Sequence, residues 1–477
     1  MPEFDVVIRN GTVVTASDRV RCEVGIREGK VVALADRLGP SSADIDATGW
    51  LVLPGGVDSH CHIDQKSSTG VITADDFYSG GVSAACGGTT TIIPFAAQHR
   101  GQSLRDVVGD YHGRAAHKAF VDYGFHLIVS DPTEKVLNEE LPELIDEGCP
   151  SFKIYMTYDA LKLTDRQALD VLSLARREGA LVMVHAENSD AVAWLTARLL
   201  SEGHTAPKFH AASRPVLVER EATSRIIALA ELVDAPILIV HVSGGDPLEE
   251  IRRARDRGLR VYAETCPQYL VLTADEMDRP GFEGAKYMCS PPLRDQAGQE
   301  ALWEGLRDGL LQVFSSDHAP YRFDDPEGKK KHGADAPFTK VPNGLPGLET
   351  RLPLLFSEGV GKGRIDLSVF VAVTATAPAQ IYGLYPRKGT IAVGSDADIA
   401  IWDPERELTI TRNVLHDRMD YTPYEGMKVT GWPVVTLSRG EVIWNDGRVE
   451  GVPGRGRFLK RARRVPGLPP DSHVPAR

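Results

Sequence analysis

Apolar runs and the polar gaps between them divide the chain into three textures. From residue 4 to 53 the runs are short and broken by turn residues. Asp5 to Arg9 and Thr12 to Thr15 flank Asn10-Gly11, and Val24 to Arg27 and Val31 to Leu34 flank Glu28-Gly29-Lys30, a hairpin signal. From about residue 54, β-branched apolar runs alternate with helix-like stretches. Strands are expected near Val57 to His62, Thr89 to Pro94, Tyr123 to Val129, Ser151 to Met156, Leu181 to His185, Ile237 to Val242, Leu259 to Thr265 and Gln312 to Asp317. Arg166 to Glu178, Glu219 to Leu232 and Leu248 to Arg257 read as helices between them. Strands buried on both faces of a parallel sheet read as near-continuous apolar runs. Eight of them with helices in the gaps predict an α/β fold, a (β/α)8 TIM-like barrel.

After about residue 375 short strands and turns return, at Thr390 to Val393, Ala397 to Trp402, Val434 to Leu437 and Val442 to Trp444. Two β segments flanking one barrel are expected to pair into a single smaller β-sandwich domain. The expected division is 1–53 and 375–455 for the sandwich, 54–374 for the barrel and 456–477 for a tail rich in Arg and Pro. That tail reads either as a solvated end or as a segment docked on a neighbouring subunit. The polar stretch from Tyr321 to Lys340 follows the last barrel strand and is expected to lie over the site. Its Lys329-Lys330-Lys331 run reads as a solvated face.

The chain has 477 residues, 42 % hydrophobic and 25 % charged, with a net charge of -12. That length exceeds one ordinary core. The acidic balance argues against a general nucleic-acid or anionic-membrane binder. No run approaches the ~20 apolar residues of a membrane helix, and Met1 to Asp5 shows no secretory pattern. Cysteines at 22, 61, 86, 149, 266 and 289 are scattered without a Cys-x-x-Cys pair, unlike a disulfide framework. A cytoplasmic location is expected.

The chemistry gathers at the C-terminal ends of the expected strands, where barrel enzymes place reacting groups. Strand one ends in Gly55-Gly-Val-Asp-Ser-His-Cys-His62. Alternation puts His60 and His62 on one face and Cys61 on the other. Strand four carries Lys153, strand five ends in His185, strand six in His241 and strand eight in Asp317. Taken singly, each reads equally as a polar group satisfied in a core. Six on one rim point to a shared metal site. A buried ammonium beside cations loses its proton or changes chemically. Lys153 is then a candidate for a carbamate made with CO2, with a Schiff base and a plain salt bridge as the other readings.

These residues, with Ser151-Phe-Lys-Ile-Tyr-Met-Thr-Tyr158, His185-Ala-Glu-Asn188, Ala263-Glu-Thr-Cys-Pro-Gln-Tyr269, Cys289-Ser-Pro-Pro-Leu-Arg294, Ser316-Asp-His-Ala-Pro320 and Pro342-Asn-Gly-Leu-Pro-Gly347, resemble the dihydropyrimidinase and hydantoinase family of the binuclear amidohydrolase superfamily. Gly394-Ser-Asp-Ala-Asp398 resembles the superfamily's small β domain. The resemblance implies two divalent metals. His60, His62, Lys153 and Asp317 hold one; Lys153, as N6-carboxylysine, His185 and His241 hold the other. Zinc suits these ligands, and manganese, iron or nickel can substitute. It implies hydrolysis of a cyclic amide, with a hydroxide shared by the metals as nucleophile. Asp317 would shuttle the proton, Tyr158 would donate to the carbonyl oxygen, and Ser290 and Asn343 would read the ureide edge. A homotetramer is implied too.

The resemblance leaves an allantoinase or another cyclic imide hydrolase open. Relatives that keep the fold as assembly proteins lose metal ligands, whereas all six are present here. One stretch departs. Where the family commonly runs Leu-Asp-Met-Pro-Phe after the histidines, this chain has Ile63-Asp64-Gln65-Lys66-Ser67. The more polar loop predicts a preference for small or polar ring substituents. Cys61, where Thr is usual, reads as packing only.

Overall fold

The computed structural model describes residues 2–67 and 70–463. Eight parallel strands build the barrel in chain order. Strand one is Gly56–Asp58; strand two is Thr89–Ile92, continued by Phe95–Ala97; strand three is Asp122–Tyr123 with His126–Ile128. Strands four to eight are Ser151–Tyr155, Leu181–His185, Ile237–Ile239, Val261–Thr265 and Val313–Phe314. Each neighbouring pair from one to eight is hydrogen-bonded in parallel. Every residue of these strands is buried, which is why they read as unbroken apolar runs. The ring closes just beyond the strand ends. Cys61 bridges His318, His62 N–H donates to the His318 carbonyl at 2.7 Å, and Ser316 Oγ donates to the His60 carbonyl at 3.1 Å.

The crossover helices follow local rules. In Asp165–Glu178, Thr164 and Gln167 form a reciprocal capping box, and Gly179 ends the helix at φ 69°. Ala168, Val171, Leu172 and Ala175 make its buried stripe. Val216–Leu232 and Gly245–Asp256 each begin three residues earlier than periodicity alone indicates.

A second core lies outside the barrel. Phe4–Arg9, Glu23–Arg27, Lys30–Ala35 and Ser41–Asp46 form a four-stranded sheet. The facing sheet has seven strands and joins both chain ends: Leu51–Pro54 pairs antiparallel with Ile399–Thr409 and parallel with Thr12–Val14. Val24, Ile26, Val52, Ile399, Ile401 and Leu437 are among the side chains packed between the sheets.

Four sequence expectations change. Thr390 to Val393 is not a strand: Ser395 N–H turns back to the Ala392 carbonyl, and Gly394, at φ 97°, donates to Val31. Residues 377–389 stay with the barrel, where Tyr382 packs on His126 with ring centres 4.7 Å apart. The sandwich therefore resumes at Ile391, not at 375. The C-terminal segment is not a free end over 456–463 but is docked on the barrel of its own chain by Leu459 and Arg461. Leu459 N–H donates to Tyr123 at 2.7 Å, and buried Arg461 donates to Ser151 Oγ at 2.8 Å and to the Phe125 carbonyl. Residues 464–477 of the expected tail lie outside the described residues. Finally, Lys329 is 0 % exposed, so the lysine run is not wholly a solvated face.

Candidate metal centre

The metal-capable residues predicted from the sequence converge on one mouth of the barrel. His60 and His62 follow strand one, held by Asp58, whose Oδ1 accepts from His60 N–H and Ser316 N–H, each at 3.2 Å. Strand eight delivers Asp317 opposite them. Asp317 Oδ1 lies 3.1 Å from His60 Nε2 and 3.2 Å from His62 Nε2, and the three ligand atoms fall within 4.8 Å of one another. Lys153 Nζ reaches His60 Nε2 at 2.8 Å. The rings of His185 and His241 are 4.6 Å apart, and His241 is 5.5 Å from His60.

Supporting groups orient these rings. Glu264 Oε1 accepts from His60 Nδ1 at 2.6 Å and from the main-chain N–H of His241 at 3.1 Å. Glu187 Oε2 accepts from His185 Nε2 at 2.7 Å and from Arg214 at 2.6 Å. Gln65 Oε1 is 2.8 Å from His62 Nδ1. Partners of this kind set which nitrogen keeps its lone pair. The sequence alone marked no ring-orienting role for Glu187, Glu264, Gln65 or Arg214, although Glu187 and Glu264 lie inside the family-like motifs and Gln65 in the loop that departs from them.

Burial sets the charges. It drives the Lys153 amine down to about 8 against the pull of Asp317 and Glu264. Burial opposes ionisation of Glu187, yet Arg214 and His185 bring that carboxyl down to about 2. Burial likewise opposes the Asp317 anion, and His60 and His62 outweigh it, holding the group well below the usual range. His62 is pushed below its ordinary value by burial, more than Asp317 raises it.

These atoms fit a cation. A neutral His62 has one N–H but two oxygen neighbours, Gln65 Oε1 and Asp317 Oδ1. One nitrogen lone pair therefore faces an oxygen, an arrangement that a bound cation relieves. His241 Nδ1 is buried with no hydrogen-bond partner, and costs free energy unless satisfied. The donor set of imidazoles and a carboxylate is one that zinc takes.

Three residues around the site have left-handed backbones: Tyr158 at φ 67°, His241 at 40° and Asp317 at 46°. Such conformations cost about 1–3 kcal/mol each and persist where surrounding contacts enforce them. Beside the metal-capable set, the side chains of Ser290 and Asn343 lie close enough to the Tyr158 hydroxyl to lower its pKa against the effect of burial, so the predicted substrate-side residues fall in one neighbourhood. Burial raises the Tyr158 hydroxyl, keeping it protonated, while the Arg214 guanidinium lies 5.3 Å from its ring centre. Asn343 Oδ1 is a buried acceptor without a partner. The loops bearing Ser290 and Asn343 are tied by Gly344 N–H to the Met288 carbonyl at 2.9 Å, and Lys329 Nζ donates to the Pro342 carbonyl at 3.0 Å.

Residues 51–443 match the amidohydrolase family. The chain belongs to that family. Among known amidohydrolases it is 48 % identical to a D-hydantoinase of Ralstonia pickettii over 461 residues, 96 % of this chain and 99 % of that one. It is 43 % identical to a D-phenylhydantoinase of Escherichia coli over 97 % of this chain and 99 % of that one. A solved dihydropyrimidinase from Brevibacillus agri superposes with a TM-score of 0.93 at 47 % identity, over 96 % of this amidohydrolase and 99 % of the other chain.

Proposed function

We propose that the chain opens the ring of a cyclic ureide or imide by hydrolysing one C–N bond, turning a 5,6-dihydropyrimidine or a 5-substituted hydantoin into an N-carbamoyl amino acid. The observation that carries this is the neutral His62 ring between two oxygens, 3.2 Å from Asp317 Oδ1. His60, His62, Lys153 and Asp317 would hold one divalent cation, and Lys153, His185 and His241 a second, zinc by preference. With its amine brought to about 8, Lys153 would have a neutral fraction able to add CO2 and release a proton to solvent, giving a carbamate that could serve as a ligand. Among the described residues no carboxylate oxygen lies within 4.0 Å of its Nζ, which speaks against the salt-bridge reading. When bound, the two cations supply a nucleophile at neutral pH and polarise the amide carbonyl.

The protein's own groups do the rest. Asp317 is anionic and receives the proton of the attacking water, then returns it to the departing ring nitrogen. The Tyr158 hydroxyl stays protonated and donates to the carbonyl oxygen as charge develops there. Ser290 and Asn343 face the alternating C=O and N–H groups of the ring, and Asn343 Oδ1 has an acceptor to offer a ring N–H.

Helix Ser189–Ser201 supports assembly with further copies, in line with a homotetramer. Only Val192 is buried although the helix is apolar; Trp194 is 63 % exposed, and Leu217 on the next long helix 53 %. Six unpaired cysteines fit a cytoplasmic setting. No helix among the described residues is long and apolar enough to cross a membrane.

The test is a panel of dihydrouracil, dihydrothymine, hydantoin, phenylhydantoin, allantoin, dihydroorotate and succinimide, assayed with zinc and bicarbonate. Turnover of the dihydropyrimidines or hydantoins is expected, with kcat/KM higher for dihydrouracil than for phenylhydantoin. No turnover of either class by zinc-loaded protein sinks the proposal. A large preference for the phenyl compound sinks the specificity reading alone.

A further inference from the structure

We propose that Gln65 is a positioning residue for the metal ligand His62. Its amide oxygen accepts from His62 Nδ1 at 2.8 Å. That contact puts the proton on Nδ1 and leaves the Nε2 lone pair directed at the position shared with Asp317.

Gln65 itself is held. Its main-chain N–H donates to Thr73 Oγ1 at 2.9 Å, and its carbonyl accepts from Thr73 N–H at 3.0 Å. The preceding residue, Asp64, turns the chain at φ 50° and donates its N–H to the Asp75 carbonyl at 2.8 Å. The loop therefore leaves the barrel mouth, reverses, and presents the amide to the ring.

The three oriented imidazoles differ in the charge of their partners. His60 and His185 donate to the carboxylates of Glu264 and Glu187, and their side chains are 0 % and 3 % exposed. His62 donates to a neutral amide and its side chain is 12 % exposed. A carboxylate fixes the tautomer and also raises the basicity of the ring; an amide fixes the tautomer alone. His62 is accordingly the ligand held by direction rather than by added charge. Removing its partner frees the ring to turn and to place its proton on Nε2, which closes that nitrogen to a cation.

This inference rests on the reading of His62 as a metal ligand, and the experiment separates the two. The full-length zinc-loaded protein and its Gln65→Met and Gln65→Glu variants are challenged with a chelator. Zinc release is followed by a colorimetric dye, and melting curves verify the fold. Gln65→Met is expected to release one zinc equivalent about 10–100-fold faster than the parent. Gln65→Glu, which keeps an acceptor and cannot donate, is expected to hold zinc at least as long as the parent. Release from Gln65→Met at the parent rate overturns the positioning role while leaving the metal centre standing. Release from Gln65→Glu as fast as from Gln65→Met shows that the acceptor is not what matters, and also overturns it. A parent protein that binds no zinc overturns both readings.

Discussion

In the proposed reaction, Lys153 is the residue on which the chemistry turns. Its side chain is 1 % exposed, and its nitrogen sits 2.8 Å from His60 Nε2 and 4.5 Å from the centre of the Phe95 ring. An ammonium there has lost its water, and the pull of Asp317 and Glu264 does not make up for it, so burial lowers it to about 8. The sign of the pH effect follows. CO2 adds only to the neutral amine, whose fraction grows as pH rises through that value. At fixed dissolved CO2, metal-stripped protein given zinc should regain activity about fivefold faster at pH 8 than at pH 7; a rate that falls over this range contradicts the carbamate. Tyr158 carries a separate expectation. Tyr158→Phe keeps the ring beside Arg214 and removes the donor, so kcat should fall about 100–1000-fold with metal content unchanged. A loss of zinc in that variant would place the hydroxyl among the structural groups instead.

At the scale of elements, the strands were legible because a parallel barrel buries both faces and leaves unbroken apolar runs. All eight expected strands are present, and His60, His62, Lys153, His185, His241 and Asp317 could be read as one set from their places at strand ends. What escaped were contacts made across the fold. Glu264 serves His60, 204 positions away, and nothing in local sequence marks such a partner. Lys329 looked solvated because its neighbours are lysines, yet it reaches under the loops of Ser290 and Asn343. Arg461 looked like part of a loose basic end, yet its guanidinium enters the barrel base. Lys388 is the clearest case of a junction invisible in sequence. Its nitrogen lies 2.7 Å from Asp122 Oδ2 on strand three and 2.6 Å from Asp398 Oδ2 at the edge of the sandwich, all nearly out of water. Lys388→Met would leave Asp398 without a cation and Asp122 with Arg439 alone, and should cost about 3–5 kcal/mol in chemical denaturation. A change below about 1 kcal/mol would show that the junction contributes little to holding barrel and sandwich together.

For the whole molecule, both chain ends share one sandwich beside the barrel, so strand one is anchored at the end opposite the metal-capable rim: Leu51–Pro54 lies in the sandwich sheet and Gly56–Asp58 in the barrel. Gly56 suits that passage, since a Cβ there would meet Arg351 Nη2 at 2.7 Å. The apolar face of Ser189–Ser201 gives the proposed assembly its own test. Trp194→Asp should lower the oligomeric mass in light scattering; an unchanged mass would place the contact elsewhere. The account as a whole depends on two cations spanned by a modified Lys153. The most direct measurement is elemental analysis of the parent protein and Lys153→Ala, purified side by side with zinc and bicarbonate. About two metal equivalents per chain are expected in the parent, with most of that metal and the ring-opening activity gone from the variant. A variant that keeps its full metal complement and still turns over would contradict the account.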